Sequence, residues 1–342
     1  MADTITTTGQ IDPAVDAMYD RTLLERALPY LVHDRFGQRR PLKSNSGRTV
    51  KFRKFSALPT NTVPLQEGVT PAGQQLSKTD ITATVQQYGD FVTVTDVVTW
   101  VNEDSVLMET AELLGEQAGQ TLDLIYRDRL VGGTNVMYAN NVAARGNITG
   151  AATGIANEKD LKWAVRTLVR ANTRKWTSMI RPGTGVGSTP IRPAYWAITH
   201  PDVVTDLEDF STLWTPVEKY AAQTQVMEHE VGAFSRGVRF VETTNAKIWP
   251  DAGGAGGNVL VSTGGTLCDV YATLIYARDA YGIVPLEGHA MENIRKPLGS
   301  AGAADPLNQR GTSGWKAMTT ARILQELFMI RYETGASDFA NL

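Results

Sequence analysis

A lone cysteine, Cys268, leaves this chain without any intrachain disulfide. That usage fits a reducing compartment such as the bacterial cytoplasm. Its setting, Thr266-Leu267-Cys268-Asp269-Val270-Tyr271, reads as a strand and predicts a core thiol rather than a reactive one. Histidine is also scarce: His33, His200, His229 and His289 lie far apart, so no metal site is expected. No window approaches the roughly eighteen apolar residues of a membrane span. The opening residues, Met1-Ala-Asp-Thr-Ile-Thr-Thr-Thr8, lack the basic start and apolar run of a secretory signal, and none is expected. Basic charge is not in excess either, with 33 Lys and Arg against 36 Asp and Glu and a net charge of −3. A dedicated nucleic-acid binder carries a basic stripe. The local clusters Arg35–Arg40 and Lys51–Lys54 read instead as solvated or subunit-facing.

Complete catalytic motifs are missing too. Gly183-Thr-Gly-Val-Gly187 lacks the Lys of a phosphate loop, and Pro190 and Pro193 oppose the helix that a dinucleotide site needs. Glu228-His229-Glu230 has Ala233 where a zinc protease needs a second histidine. No Gly-x-Ser-x-Gly elbow occurs. Asp206, Glu208 and Asp209 read as the wet face of a helix rather than a glycosidase pair. The seven tryptophans are dispersed, as packing residues are. No catalytic, cofactor-binding or metal-binding residue is assigned, and an enzyme is not expected.

What the chain does have is a long, weakly self-supporting excursion. Gly47–Phe55 reads as an outgoing strand and Ile81–Thr95 as a return strand rich in β-branched and aromatic residues. Between them, Leu58-Pro59, Val63-Pro64, Glu67-Gly68 and Thr70-Pro71-Ala72-Gly73 are turn signals. At about 3.3 Å per residue the return arm would reach roughly 45–50 Å. A two-stranded ribbon of that length is marginal in water and needs a surface to lie on; another copy of the chain is the expected one.

Ahead of the excursion, Ala14–Leu28 has helical spacing within a polar arm. Behind it, the spacing of Leu107, Ala111, Leu114, Ala118, Leu122 and Ile125 predicts a helix over Glu103–Leu130, capped by Asn102 and stopped by Gly132-Gly133. At 1.5 Å per residue it would be roughly 40 Å long. A second helix is predicted over Glu158–Lys175, capped by Asn157 with Asp160 three residues on. Short strands follow at 195–199, 237–243, 258–262 and 268–276, with a helix opening at His200-Pro201. A loop over 297–313 is expected to return the chain to the first lobe, where Trp315–Arg322 and Leu327–Glu333 read as strands.

Several segments also carry a family resemblance. Gly47-Arg-Thr-Val-Lys-Phe-Arg-Lys-Phe55, Leu65-Gln-Glu-Gly-Val-Thr-Pro71 and Gln87-Tyr-Gly-Asp-Phe-Val92 resemble the extended loop of tailed-bacteriophage major capsid proteins. The family is the one typified by large-genome short-tailed coliphages. Tyr19–Glu25 resembles its N-terminal arm, Gly237–Thr243 its central domain, and Gly314-Trp315-Lys316 with Arg331-Tyr332-Glu333 its C-terminal strands. The resemblance implies an α+β fold of the tailed-phage and herpesvirus capsid type. Its parts would be an N-terminal arm (1–46), an extended β-hairpin loop (47–96), a peripheral domain with a spine helix (97–187 and 296–342) and a mixed axial domain (188–295). It further implies self-assembly through hexamers and pentamers into an icosahedral shell around double-stranded DNA, held without sequence reading. The shell would be a virion capsid put together in the host bacterial cytoplasm. Portal, scaffold and decoration proteins are further partners of such shells; no cofactor and no membrane is involved. Arg48, Lys51, Arg53, Lys54, Glu67 and Asp80 in the loop are the candidate subunit-contact residues. Two other readings are a cellular nanocompartment shell of the same fold and a hydrolase using acids of the central lobe.

Overall fold

A computed structural model describes residues 31–338, apart from 66, 69, 71–72, 102–105, 151–153, 177–192, 211–212, 220–228, 236, 257–258 and 301–304. The helix read over 14–28, the cap at Asn102 and the 183–187 glycine loop lie outside the described residues.

The chain opens with β1 (Gln38–Arg39), then forms β2 (Thr49–Phe55), β3 (Lys78–Thr84) and β4 (Gln86–Thr95). Helices α1 (Asp96–Val101) and α2 (Val106–Val131) follow, then β5 (Val136–Tyr138) and α3 (Glu158–Arg170). The middle of the chain supplies β6 (Tyr195–Thr199), α4 (Pro201–Glu208), β7 (Trp214–Pro216), β8 (Glu230–Phe234), β9 (Val238–Glu242), β10 (Ile248–Trp249), β11 (Val270–Tyr276) and β12 (Tyr281–Ile283). The last strands are β13 (Glu292–Lys296), β14 (Arg310–Thr319), β15 (Ala321–Ile323) and β16 (Met329–Thr334).

The spine helix is there as its periodicity demands. Ala111, Leu114, Ala118, Leu122, Tyr126 and Leu130 are buried along one stripe of α2. Leu113, one step round, is 58% exposed. The stripe packs against Val32, Phe36, Trp196, Tyr276, Tyr281 and Trp315 in the first core. After α2 the chain turns at once, with Gly133 N–H closing on the Leu130 carbonyl. In α3 the Asn157 side chain accepts from Asp160 N–H at 2.9 Å, the expected cap. This helix stops at Arg170 rather than Lys175 because Asn172 takes φ +52°.

The main sheet runs β5-β16-β11-β6-β9-β8-β7, with β10 beside β11. Its central strand β11 is buried along its whole length, and α3 packs on it through Leu161, Ala164, Val165 and Leu168. Here the structure corrects the expected chain path. Strand β16 returns to the first lobe by pairing with β5, but it also pairs with β11 of the expected axial lobe, so one sheet spans both. The second core likewise joins α3 to strands beyond residue 190, so packing does not break at 187. Residues 259–262 form no strand and make a single bridge, Leu260 to Ser337. Strand β14 begins at Arg310, inside the expected 297–313 loop, because Arg310 to Thr319 has β4 to pair with.

The excursion is corrected in two ways. Its return arm is not one strand: it breaks at Val85, and the halves join different sheets. Strand β3 pairs with β2 in a seven-residue hairpin, whereas β4 pairs with β14 over ten residues. Nor does the hairpin base wait for a neighbour. Val50, Phe52, Ala83 and Val85 form a third core with Leu42 and Val284 of the same chain. Phe52 lies so close over Gly282 that a Cβ there would come within 2.8 Å of its ring.

Buried charge ties distant segments together. Asp123 on α2 accepts from Val32 N–H (2.9 Å), His33 N–H (2.8 Å), His33 Nδ1 (2.9 Å) and Asn245 Nδ2 (3.2 Å). Glu333, fully buried on β16, accepts from Arg145 at 2.6 and 2.9 Å and lies 2.7 Å from Arg331 Nε. The Arg145 guanidinium also sits 3.6 Å over the Trp249 ring.

Candidate assembly surfaces

The residues whose motifs were set aside as incomplete are engaged in structure. Glu230 is buried and accepts from Arg239 Nη1 at 2.9 Å, while His229 occupies a left-handed turn at φ +63°. His200 caps α4 by accepting from Asp202 N–H at 3.3 Å. Asp206 is not on a wet face: it is buried and holds Ser337 through the residue's N–H and hydroxyl. Burial pushes its carboxyl above the usual range, as do Asp209 and Asp202, against the Ser337 hydrogen bonds. Cys268 is a core thiol facing the Ile148 carbonyl. The described residues hold no cluster of three or more His, Cys, Asp or Glu suited to a metal ion. None of their helices is long and apolar enough to cross a membrane.

What stands out instead is apolar surface without a cover. Beyond the hairpin, residues 56–77 contain no strand or helix among those described. They expose Leu58 (50%), Val63 (73%), Leu65 (74%) and Leu76 (66%), with Phe55 (58%) at the hairpin end. Isolated exposed apolar residues are ordinary, but a run of this kind on one projection marks an interaction surface.

A second such surface lies on the sheet β13-β14-β4. One face packs on α2, where Gln117 bonds both Asp90 and the Trp315 indole. The opposite face forms an open cleft of about 760 Å3 around Phe91, Ile294, Lys296, Arg310, Gly314 and Lys316. Leu298 and Leu307, exposed by 38% and 74%, lie on the segment joining β13 to β14.

The six charged loop residues divide. Arg53 Nε lies 3.1 Å from Asp80 across the hairpin, so this pair is made within the chain rather than across a contact. Lys54 bonds Gln325 of the same chain. Arg48, Lys51 and Glu67 are exposed. Exposed pairs contribute about 0–1 kcal/mol each. Sequence reasoning could see these charges but not that the hairpin registers Arg53 opposite Asp80.

Comparison with known proteins places this architecture. Residues 78–227 match the family model for phage capsid proteins. No curated protein matches the chain in sequence. Among solved structures, the capsid of Ralstonia phage GP4 aligns at a TM-score of 0.66 and 13% identity, covering 90% of this chain and 89% of that one. The capsid of the cyanophage P-SCSP1u aligns at 0.60 and 13% identity, covering 88% and 87%. The capsid of cyanophage Pam1 aligns at 0.59 and 14% identity, covering 98% and 100%. The matched family segment runs from β3 through the spine helix into the main sheet. Residues 78–227 thus match the phage capsid protein family, and the chain has the fold of tailed-phage capsids.

Proposed function

We propose that this chain is the major capsid protein of a tailed phage, closing as hexamers and pentamers into an icosahedral shell around double-stranded DNA. The observation that carries the reading is a folded body from which a loop projects with Leu58, Val63, Leu65 and Leu76 uncovered, in a chain of which residues 78–227 match the capsid family. Each contact of such a loop is weak, and closure makes the assembly cooperative. The DNA is enclosed without sequence reading, as the net charge of −3 allows. Assembly takes place in the bacterial host's cytoplasm, with portal, scaffold and decoration proteins as further partners.

Negative-stain microscopy of the chain, purified alone and with its neighbouring gene products, tests the reading. Closed shells are expected; a subunit that stays monomeric under both conditions overturns it. Shells recovered from host cells should contain phage DNA, and protein cargo in its place would favour a nanocompartment. Limited proteolysis gives a second test. A broad-specificity protease should cut free subunits first between Ser56 and Ser77, and shells should resist there. The hairpin base should resist in both states, because its own chain packs it.

A charge test follows from the loop. Reversing Arg53 and Lys54 to Glu should leave a folded subunit by circular dichroism but lower particle yield. The Arg53→Glu part also places two carboxylates opposite each other at Asp80. Asp80→Lys in the same chain should therefore restore the hairpin pair. Unchanged particle yield in the double reversal would remove these charges from the assembly contacts.

A further inference from the structure

Helix α3 covers the main sheet with one side and leaves a stripe of one charge sign on the other. Leu161, Ala164, Val165 and Leu168 are buried in the second core. Lys159, Trp163, Arg166 and Arg170 follow one another at steps of four, three and four, within an arc of about 60° on the opposite side. All four are exposed. At 1.5 Å rise per residue the stripe is roughly 16 Å long.

No acid of the helix balances these cations. Glu158 pairs with Lys162 at 3.1 Å. Asp160 is buried and accepts from Asn140 N–H at 2.6 Å, the Asn157 amide at 2.8 Å and the Tyr332 hydroxyl at 3.0 Å. The side chains of Lys159, Arg166 and Arg170 make no hydrogen bond or ion pair among the described residues.

The helix gains little from the pattern. Arg166 and Arg170 are like charges one turn apart, which oppose a helix. Lys159 stands in the first turn, at the positive end of the helix dipole, where a cation is disfavoured. Only Arg170, in the last turn, is placed as the dipole favours. Solubility does not explain it either, because soluble surfaces intersperse both signs. It also leaves no reason for Trp163 to be 41% exposed in the middle of the stripe.

We propose that this face of α3 docks on the phosphate backbone of duplex DNA without reading its sequence. The inference rests on the shell reading, which supplies the DNA, and names the surface that meets it. Arg166 and Arg170 each present a planar guanidinium suited to two phosphate oxygens, and Lys159 adds a point charge. The Trp163 ring among them offers apolar contact to deoxyribose, the uncharged part of the backbone. Contacts of this kind carry no sequence information, so binding is electrostatic. The net charge of −3 does not oppose it, since exposed charges farther off than roughly 8 Å are screened at physiological salt.

Fluorescence anisotropy of a labelled duplex of roughly 20 base pairs, titrated with the purified full chain, tests the face. Three neutralised phosphates predict a log–log salt slope of about 2.7, or binding about fortyfold weaker at about 200 mM salt than at about 50 mM. Arg166→Gln with Arg170→Gln should cut that slope by about 1.8. Glutamine keeps the helix propensity and neither arginine side chain is bonded, so the melting midpoint should stay near wild type. Lys159→Gln alone should lower the slope by about 0.9 and covers the case in which the double variant does not fold. Lys43→Gln with Arg322→Gln removes two exposed cations elsewhere on the chain and should leave the slope unchanged. A wild-type slope in the Arg166 and Arg170 variant, or the same loss in the Lys43 and Arg322 variant, would overturn the site. Poly-L-glutamate displacing the labelled duplex more readily than unlabelled duplex of equal charge would assign the face to an acidic protein segment and overturn DNA as its partner. These measurements need only the subunit. A chain that forms no shells but shows the slope change loses the shell reading and keeps the docking face, whereas shells from subunits without the slope change sink this inference alone.

Discussion

Leu114→Asp is expected to lower the free energy of unfolding by about 4–5 kcal/mol, a large share of the roughly 5–15 kcal/mol that holds a domain together. Leu114 is 3% exposed in the α2 stripe and packs into the first core. Removing a buried leucine side chain alone costs about 2–5 kcal/mol. The carboxylate adds the cost of desolvation without a partner, or of taking up a proton to avoid it. Leu113 supplies the control. It is the same residue type one position earlier on the same helix, and it is 58% exposed. Leu113→Asp should move the subunit's urea midpoint by no more than about 0.5 kcal/mol equivalent. Equal midpoints for the two variants would show that the apolar stripe is not the buried face.

That contrast also explains which parts of this fold the sequence made legible. Helix α2 was readable because burial repeats at helical spacing over about five turns, from Ala111 to Leu130, and α3 because Asn157 and Asp160 form a local cap. Both signals are contained within a few neighbouring residues. The return arm was misread for the opposite reason. Ile81–Thr95 has uniform strand chemistry, and nothing local announces that Val85 leaves one sheet for another. Its division is decided by β14, more than two hundred residues away in sequence. The same holds for β13, unassigned in the sequence, which exists because β14 offers an edge to it. Asp206 looked like one of three acids on a wet helix until Ser337 arrived from the far end of the chain to occupy it. The assembly surfaces were half legible. The excursion's need for a support was visible in its composition, but its base finds that support in Leu42 and Val284 of its own chain. Among the described residues the tip keeps Leu58, Val63, Leu65 and Leu76 uncovered.

The other large effect is expected at Asp123, which joins α2 to the segment leading in from residue 31. Its two oxygens take four hydrogen bonds, from Val32 N–H, His33 N–H, His33 Nδ1 and Asn245 Nδ2. Asp123→Asn keeps the shape but turns an NH2 group toward donors, leaving at least one of them unpaired in a site closed to water. Breaking such a buried arrangement costs about 3–5 kcal/mol. Burial by itself raises the Asp123 carboxyl; electrostatic attraction to His33 and the hydrogen bonds from His33 and Asn245 outweigh it and hold the group below its ordinary value. A carboxyl with a depressed folded pKa contributes stability that is fully present above its unfolded value, about 3.9, and is lost as pH falls through the folded one. The gap between wild type and Asp123→Asn, measured by urea unfolding, should therefore narrow as pH falls below about 4. The variant should also free the chain around Val32 and His33, so hydrogen exchange there should quicken more than at the β11 core. A gap that widened on acidification would mean that Asp123 is not held ionised by His33. The lead-in from residue 31 would then be anchored by the burial of Val32 and Phe36, the Tyr281 hydroxyl on the His33 carbonyl and the pairing of β1 with β12.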